Sequence, residues 1–415
     1  MGALSVAAEA STISALSILR VWARDNANDG MRARREKSKM KNMSKLLRIL
    51  ALLLTISMVA AACGSDGDDA DNAGEDVAGD DAGDDEPETV TVAQGDTLAK
   101  VVGAGVLNCG GNNGLAGFGS VDAATGEAAG FDIDFCKVVA AAVLGDAEAI
   151  DVKPLEAAER FPTLQSGEID VLIRNTTWTA SRDGAEQATF LHTNFYDGQG
   201  FMVAAASGIT TLEDMADATI CVQTGTTSLA NLNALFTDRG INFTPLEFAS
   251  NDELNPAFQA GQCEVWTSDA SQLASFAAGM ELETAILPDI ISKEPLGPAV
   301  ADGDSQWAQI VDWATMATVQ AWEYGMTSEN VDSFLTSEDS NILTFLGQPV
   351  KDDDGNEATK DLGLGLDADA FYNVIKQVGN YEEIFNRNLS PLGLSIGGPN
   401  DLWTNGGLLY TPPFR

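Results

Sequence analysis

The chain has 415 residues, of which 45% are apolar, so it is long enough for two domains with buried cores. Its 62 acidic residues outnumber the 23 basic ones and give a formal net charge of −39, which argues against DNA, RNA or anionic lipid as a partner. A single histidine leaves little material for histidine-ligated metal sites or a Ser-His-Asp triad, and we expect neither a metal nor another cofactor.

An export signal is predicted near the N-terminus. An apolar run from Ile49 to Val59 follows a short basic stretch and precedes three alanines and Cys63. This order is typical of an export signal, and the run is too short to cross a bilayer as a helix. We predict a lipoprotein signal peptide over residues 43–63 with Cys63 as the lipidation site, although Ala60 stands where leucine is usual. An ordinary secretion signal with an incidental cysteine is the alternative.

The segments on either side of this signal differ in charge. Residues 1–42 fit neither an export signal nor a packed domain, and they indicate a mis-assigned start before Met43 or, as the alternative, a basic cytoplasmic extension. Residues 64–94 carry twelve acidic residues and no basic one up to Val90. Like charges and the lack of large apolar residues predict a disordered acidic tether there.

The rest of the chain has an α/β pattern. From about residue 95, short β-rich runs alternate with helical ones, which predicts βαβ units around parallel sheets. Strands are predicted at residues 106–109, 150–155, 169–173, 219–222 and 263–266, and helices at residues 131–143, 157–165, 226–236 and 307–324.

Four cysteines remain besides Cys63, an even number that suits an oxidising compartment. Cys109 and Cys136 fall in the first predicted strand–helix unit, whereas Cys221 and Cys263 fall on two later strands. We favour local disulfides, 109–136 and 221–263, over the alternative of buried free thiols. None has the CxxC spacing of zinc or redox sites.

Several motifs of this region are similar to those of one known family. They are GFDIDF at residues 130–135, RNTTWTASR at 174–182, YDGQGFMV at 196–203, VQTGTT at 222–227, TSD at 267–269 and ISKEPLGP at 291–298. In this order the chain resembles the family-3 solute-binding proteins of polar amino-acid ABC importers. Among these it is most similar to the general L-amino-acid-binding proteins.

This resemblance implies an α/β, two-lobed clamshell of the type II periplasmic-binding-protein kind, with two hinge crossings near Tyr196–Phe201 and Ile291–Gly297. A ligand in the cleft would draw the lobes together by hinge closure. The implied divisions are lobe 1 at residues 95–196 and 297–385, lobe 2 at residues 201–292, and a C-terminal extension at residues 386–415 packed on the body.

The resemblance also implies how the carboxylate of a free amino acid is bound. Arg182 resembles the family's carboxylate-binding arginine, whose planar fork can hold both oxygens. Without the motif it would be interpreted as a surface arginine. Thr226 and Thr227 stand at a predicted helix start, where free N–H groups favour an anion. A plain helix cap is the alternative role for one of them.

The ammonium group needs an acidic acceptor, and Asp269 matches the position that supplies it in the family. Capping of the next helix is its alternative role. Asn175 and Thr177 match positions that complete the ammonium and carboxylate contacts. Trp178 is predicted to pack in the core, and the arginines are expected to hold Asp269 ionised.

Selectivity for the ligand's side chain is implied at the front of lobe 1. Arg160 matches a position that reaches the distal carboxylate in binders of acidic amino acids, with a solvent-exposed helix arginine as the alternative. Asn112 and Asn113 stand where binders of cationic amino acids have an aspartate, so lysine and arginine should be poor ligands. Leu115 and Phe118 are expected to form an apolar wall.

We therefore predict a receptor and not an enzyme. It would bind free L-amino acids of polar, acidic or neutral character and deliver them to an ABC importer permease and its ATPase. The protein is expected to be monomeric and exported, either periplasmic or held at the outer face of the cytoplasmic membrane by its lipid anchor alone. An amino-acid sensor domain and an enzyme on the same fold are the alternatives. His192 lies outside the motifs and provides no catalytic pair.

Overall fold

The computed structural model describes residues 96–112, 114–122, 124–351 and 355–415. The predicted signal peptide with Cys63, residues 1–42, the acidic tether and Asn113 lie outside the described residues. In the described ranges, no helix has the length and apolar character that crossing a membrane requires.

The chain forms helices and strands in three successive stretches. The first contains α1 (Thr97–Ala104), β1 (Leu107–Gly111), β2 (Gly114–Leu115), β3 (Gly119–Val121), β4 (Ala128–Ala129), α2 (Phe131–Leu144), β5 (Ile150–Pro154), α3 (Arg160–Gln165), β6 (Val171–Leu172), α4 (Ala180–Ala185), β7 (Ala188–Phe190) and β8 (Phe195–Asp197). The second contains β9 (Gln199–Ala204), β10 (Thr219–Gln223), α5 (Thr227–Arg239), β11 (Thr244–Phe248), α6 (Asn251–Gln259), β12 (Val265–Asp269), α7 (Ala270–Ala278) and β13 (Thr284–Ile286). The third contains β14 (Glu294–Leu296), β15 (Ala299–Ala301), α8 (Ser305–Glu323), α9 (Ser340–Phe345), β16 (Val350–Lys351), β17 (Glu357–Ala358), α10 (Ala370–Gln377) and α11 (Tyr381–Asn388).

Two five-stranded sheets divide these elements into two lobes. The sheet of lobe 1 has the order β5-β1-β6-β15-β7, and the sheet of lobe 2 has the order β11-β10-β12-β9-β13. Strand β1 pairs in parallel with β5 and β6, and β10 does so with β11 and β12, as expected for βαβ units. In each sheet the fourth strand, β15 or β9, pairs antiparallel with both of its neighbours and is the strand that the chain forms directly after crossing between the lobes.

A short two-stranded ribbon connects the lobes. Strands β8 and β14 pair antiparallel, with Asp197 opposite Glu294 and Phe195 opposite Leu296. Both connections therefore lie side by side, in the two segments where the sequence predicted the crossings. A single ribbon of this kind lets two lobes rotate about one line.

The core of lobe 1 forms around helix α2, which is buried on nearly every side. Its start is fixed by Gly130, which has a φ of 138° and would place a Cβ only 2.3 Å from the carbonyl oxygen of Phe118. Phe131 then packs against a set of aromatic rings that includes Phe135 and Tyr381. The C-terminal residues complete this core, because Leu409 and Phe414 are buried in it.

Each lobe contains one disulfide bond. Cys109 on β1 is joined to Cys136 on α2, and Cys221 on β10 is joined to Cys263, two residues before β12. These are the local pairs that the sequence favoured. Each disulfide joins two neighbouring segments of the same lobe, and neither links the two lobes.

Removal of either disulfide should destabilise its lobe. The bonded cysteines are 27 and 42 residues apart, for which the chain-entropy model gives about 3.5 and about 4 kcal/mol at 25 °C. Guanidinium denaturation of the two double alanine variants, Cys109→Ala with Cys136→Ala and Cys221→Ala with Cys263→Ala, measures these losses. A variant with the wild-type free energy of unfolding would show that the corresponding bond does not stabilise the fold.

Candidate functional site

The lobes enclose a polar cavity of about 20 Å³, enough space for about one water molecule. Lobe 1 contributes Arg160, Arg174, Asn175, Thr177 and Arg182 to its lining. Lobe 2 contributes Gln223, Thr226, Thr227, Ser228, Ser268, Asp269 and Gln272. The structure thus brings together all seven residues that the sequence suggested for ligand binding.

Arg182 is anchored from its own lobe and reaches the other. It lies in α4, where its backbone N–H donates to the hydroxyl of Thr179, the N-cap residue, at 3.2 Å. One terminal nitrogen donates to the carbonyl of Thr177 at 3.0 Å, and the other donates to the carbonyl of Gly225 in lobe 2 at 3.4 Å. The side chain is therefore buried at the junction, not exposed on the surface.

Arg160 converges on the same carbonyl group. Its Nη2 donates to Gly225 at 3.0 Å, its Nη1 donates to the hydroxyl of Thr176 at 3.3 Å, and its Nε donates to the carbonyl of Ala157 at 2.9 Å. Burial, together with the nearby charges of Arg182 and Arg174, lowers its pKa well below the usual value. The alternative of a solvent-exposed helix arginine is excluded, since only 3% of the residue is accessible.

Arg174 is a third buried arginine at the cavity, which the sequence did not single out as a binding residue. Its Nε donates to the carbonyl of Leu155 at 2.7 Å. Burial lowers its pKa to about 10, although the negative charges of Glu156, Asp132 and Asp269 act to raise it. Its position as the first residue of the RNTTWTASR motif, directly beside Asn175, is the signal that could have identified it.

Asp269 faces these arginines from the end of β12. Its Oδ2 accepts a hydrogen bond from the side-chain amide of Asn175 in lobe 1 at 3.2 Å, and it makes no side-chain cap to α7. Burial raises its pKa well above the usual value, and the carboxylates of Asp197 and Glu294 raise it further. The expectation that arginines hold Asp269 ionised covers one influence of several: Arg160 acts to lower its pKa, whereas burial and the two acidic neighbours act to raise it.

Asn175 is held in one orientation by two neighbours. Its backbone has a φ of 29°, in the left-handed region, and its N–H donates to Asp132 at 2.9 Å. Its side-chain carbonyl accepts from the amide of Asn112 at 2.9 Å, which directs its own NH₂ group toward Asp269. The two residues thus position Asn175 for contact across the cleft.

The two threonines of lobe 2 have different roles, since Thr226 caps a helix and Thr227 contacts side chains at the cavity. Thr226 is the N-cap of α5: its hydroxyl accepts from the N–H of Leu229 at 3.3 Å. The hydroxyl of Thr227 donates to Glu294 at 2.8 Å and lies 3.5 Å from the hydroxyl of Thr177. The first residues of α5 therefore place the N-terminus of this helix at the cavity.

Two expectations about apolar residues are wrong. Leu115 and Phe118 are buried in the core of lobe 1, where Phe118 packs on Phe131 and Phe195, so they form no wall of the cavity. Trp178 is 42% exposed and stacks on Phe190, so it is not a core residue. Lobe 2 instead contributes polar lining that the sequence did not indicate, namely Gln223, Ser228, Ser268 and Gln272.

The fold and site agree with what comparisons with known proteins find. The model of the bacterial extracellular solute-binding proteins, family 3, matches residues 107–389, and the chain belongs to this family. The general L-amino acid-binding periplasmic protein of Rhizobium johnstonii is 46% identical over 78% of this chain and 94% of its own. The glutamate/glutamine/aspartate/asparagine-binding protein of Rhodobacter capsulatus is 45% identical over 78% of this chain and 94% of its own.

A solved structure confirms the type II periplasmic-binding-protein fold. The ABC transporter periplasmic binding protein from Brucella ovis, solved with glutathione bound, has a TM-score of 0.73 and 43% sequence identity. The match covers 78% of this chain and all of that chain. The family resemblance and the two-lobed architecture expected from the sequence are therefore both confirmed.

Asp132 should make the stability of the fold depend on pH. Burial raises its pKa to about 7 from 3.8, although the Asn175 N–H, Arg174 and Asn112 act in the opposite direction. The folded protein then binds more protons than the unfolded chain, so the free energy of unfolding falls as pH rises from about 4 to about 7. At about 1.4 kcal/mol per pKa unit, this carboxyl contributes up to about 4 kcal/mol to the change.

Chemical denaturation of wild type and Asp132→Asn between pH 4.5 and 7.5 measures this contribution. The variant should have the flatter dependence, because its amide carries no titrating proton. Equal slopes for the two proteins would show that the Asp132 carboxyl does not titrate in this range.

Proposed function

We propose that the protein is the substrate-binding receptor of an amino-acid ABC importer, and that it binds free L-amino acids between its lobes and delivers them to a permease. One observation carries the proposal. Buried guanidinium groups from lobe 1 face a buried carboxyl group from lobe 2 across one small cavity. The names of the relatives from R. johnstonii and R. capsulatus, both amino-acid-binding proteins, support it.

The proposed binding mode matches the zwitterion common to all amino acids. Arg182 would hold the α-carboxylate, which also lies before the free N–H groups of α5. The carbonyl of Gly225 now accepts hydrogen bonds from Arg182 and Arg160, so the ligand's carboxylate would replace it as the acceptor. Asp269 would accept the ammonium group, and that positive charge would favour its ionised form.

The remaining arginines support a preference for side chains that accept hydrogen bonds. Arg160 and Arg174 line the cavity together with Arg182, and no ion pair of the described residues includes any of the three. A carboxylate or amide side chain would be attracted to them, whereas lysine and arginine would be repelled. We therefore propose that acidic and amide amino acids bind best, that neutral ones bind less well, and that basic ones bind poorly. No catalytic activity is proposed.

The site residues divide into two classes that calorimetry can separate. Arg182→Ala and Asp269→Ala should weaken every ligand by about 2–5 kcal/mol, roughly 30- to several-thousand-fold, because each leaves a buried charge unpaired. Arg160→Ala and Arg174→Ala should weaken L-glutamate more than L-alanine, because they would contact only the side chain. Lys153→Ala, which removes a partly exposed cation of lobe 1, is the matched control and should change nothing.

Titration of ligand-stripped wild type with L-glutamate, L-glutamine, L-alanine and L-lysine provides the reference for this series. A single tight ligand that is basic would contradict the proposed cleft chemistry. So would wild-type affinity in the Arg182→Ala variant.

We also propose that the mature protein begins at a lipidated Cys63 and is held at the outer face of the cytoplasmic membrane through the acidic tether. The order of basic, apolar and small residues before this cysteine supports the proposal. Cys63→Ser should then move the protein to the soluble fraction. Mass spectrometry of the membrane-extracted wild type should find no peptide from residues 1–62, and unchanged membrane retention of the variant would contradict the anchor.

A further inference from the structure

The lobes also meet at the rim of the cleft, beside the cavity. Glu156 follows β5 in lobe 1, and Gln223 ends β10 in lobe 2. The side-chain amide of Gln223 donates to Oε2 of Glu156 at 2.9 Å and to the carbonyl of Ala249 at 3.1 Å, while its own oxygen accepts from Asn251. Gln223 is thus fixed from within lobe 2 by two partners, and its third bond is the one that reaches lobe 1.

Close backbone contact lies next to this hydrogen bond. Gly225 has a φ of 71°, and a Cβ placed on it would meet the Cα of Ala158 in lobe 1 at 2.9 Å and the backbone nitrogen at 3.0 Å. Backbone atoms cannot move aside as the end of a side chain can. The closed arrangement of the lobes therefore requires a residue without a side chain at position 225.

We infer that Glu156 and Gly225 are positioning residues of a latch that holds the lobes closed and so sets the affinity for every ligand by the same factor. The inference rests on the proposed function. Glu156 does not line the cavity, and Gly225 meets Arg160 and Arg182 only through its backbone carbonyl. The Glu156 hydrogen bond and an added Cβ at position 225 would therefore act on the equilibrium between open and closed lobes. A change in the closed fraction alters the apparent dissociation constant of all ligands alike.

The hydrogen bond is tested by comparing Glu156→Ala with Glu156→Gln. Both variants lose the negative charge that acts on Arg174, but glutamine keeps an oxygen that can accept from Gln223. Their difference therefore isolates the hydrogen bond from the charge. Glu156→Ala should bind L-glutamate, L-glutamine and L-alanine about 3- to 10-fold more weakly than Glu156→Gln, equally for each and through a faster dissociation rate.

Calorimetry on both variants measures the affinities, and stopped-flow measurements give the dissociation rates. A difference that varies between the three amino acids would show that Glu156 contacts the ligand, and this outcome overturns the latch. Equal affinities of the two variants would overturn it as well.

The close contact is tested by Gly225→Ala with Gly240→Ala as its matched control. Gly240, in the same lobe, has a φ of 66°, but an added Cβ there would meet nothing within 4 Å. Both variants place alanine at a positive φ of similar size and so carry similar backbone strain. Only Gly225→Ala also places a Cβ against the other lobe. Gly225→Ala should lose at least about 10-fold in affinity for all three amino acids, whereas Gly240→Ala should keep wild-type affinity. Equal effects of the two would contradict the latch.

A failure of the proposed function can be distinguished from a failure of the latch. If the wild type binds none of these amino acids, the proposed function is wrong. Pulsed electron paramagnetic resonance without ligand, with one spin label on each lobe, then tests the latch directly. Glu156→Ala should shift the interlobe distances to longer values relative to Glu156→Gln, and identical distributions would overturn the inference.

Discussion

Three guanidinium groups are buried where the two lobes meet, and no carboxylate forms an ion pair with any of them in the described part of the chain. Removing a charge from water without a partner is costly, and hydrogen bonds from backbone carbonyls offset only part of this cost. The pKa of each group is lowered by burial first of all. These buried cations are the reason for proposing that the ligand brings at least one carboxylate to the cleft.

Two acidic groups of the hinge ribbon lie close enough to Asp269 to act on its charge. Asp197 and Glu294 face each other across the ribbon of β8 and β14, and both raise the pKa of Asp269. Burial raises the pKa of Asp197 to about 6, although Ser271 and Gly198 donate hydrogen bonds to it. An ammonium group held by Asp269 would relieve repulsion among these carboxylates, so the same charge that is recognised would also stabilise the hinge region.

The parts of the structure that local patterns control could be predicted from the sequence. Helices α2 and α8 lie within two residues of their predicted bounds, because Gly130 and the Asp304 cap fix their starts. Strand β6 is only two residues long, although five were predicted, since an apolar run carries no signal for where pairing ends. All seven site residues that the family resemblance suggested line one cavity.

The remaining features depend on contacts between distant segments. Arg174 and Gln223 lie in family motifs, but nothing in those motifs sets them apart from their neighbours, and only the meeting of the lobes places both at the cavity. The raised pKa of Asp269 could not be predicted for the same reason, because the two carboxylates that help to raise it come from the two hinge strands. Trp178 is not in the expected core position, since its large apolar side chain indicates burial, whereas in the fold it stacks on Phe190 and stays 42% exposed.

The central claim is that the buried arginines and Asp269 together recognise a zwitterion with an acidic side chain. A crystal structure of the protein with L-glutamate tests it most directly. The α-carboxylate should lie within hydrogen-bond distance of Arg182, the ammonium group on Asp269, and the second carboxylate toward Arg160 and Arg174. L-glutamate bound outside the cavity, or with neither carboxylate on an arginine, would contradict the account.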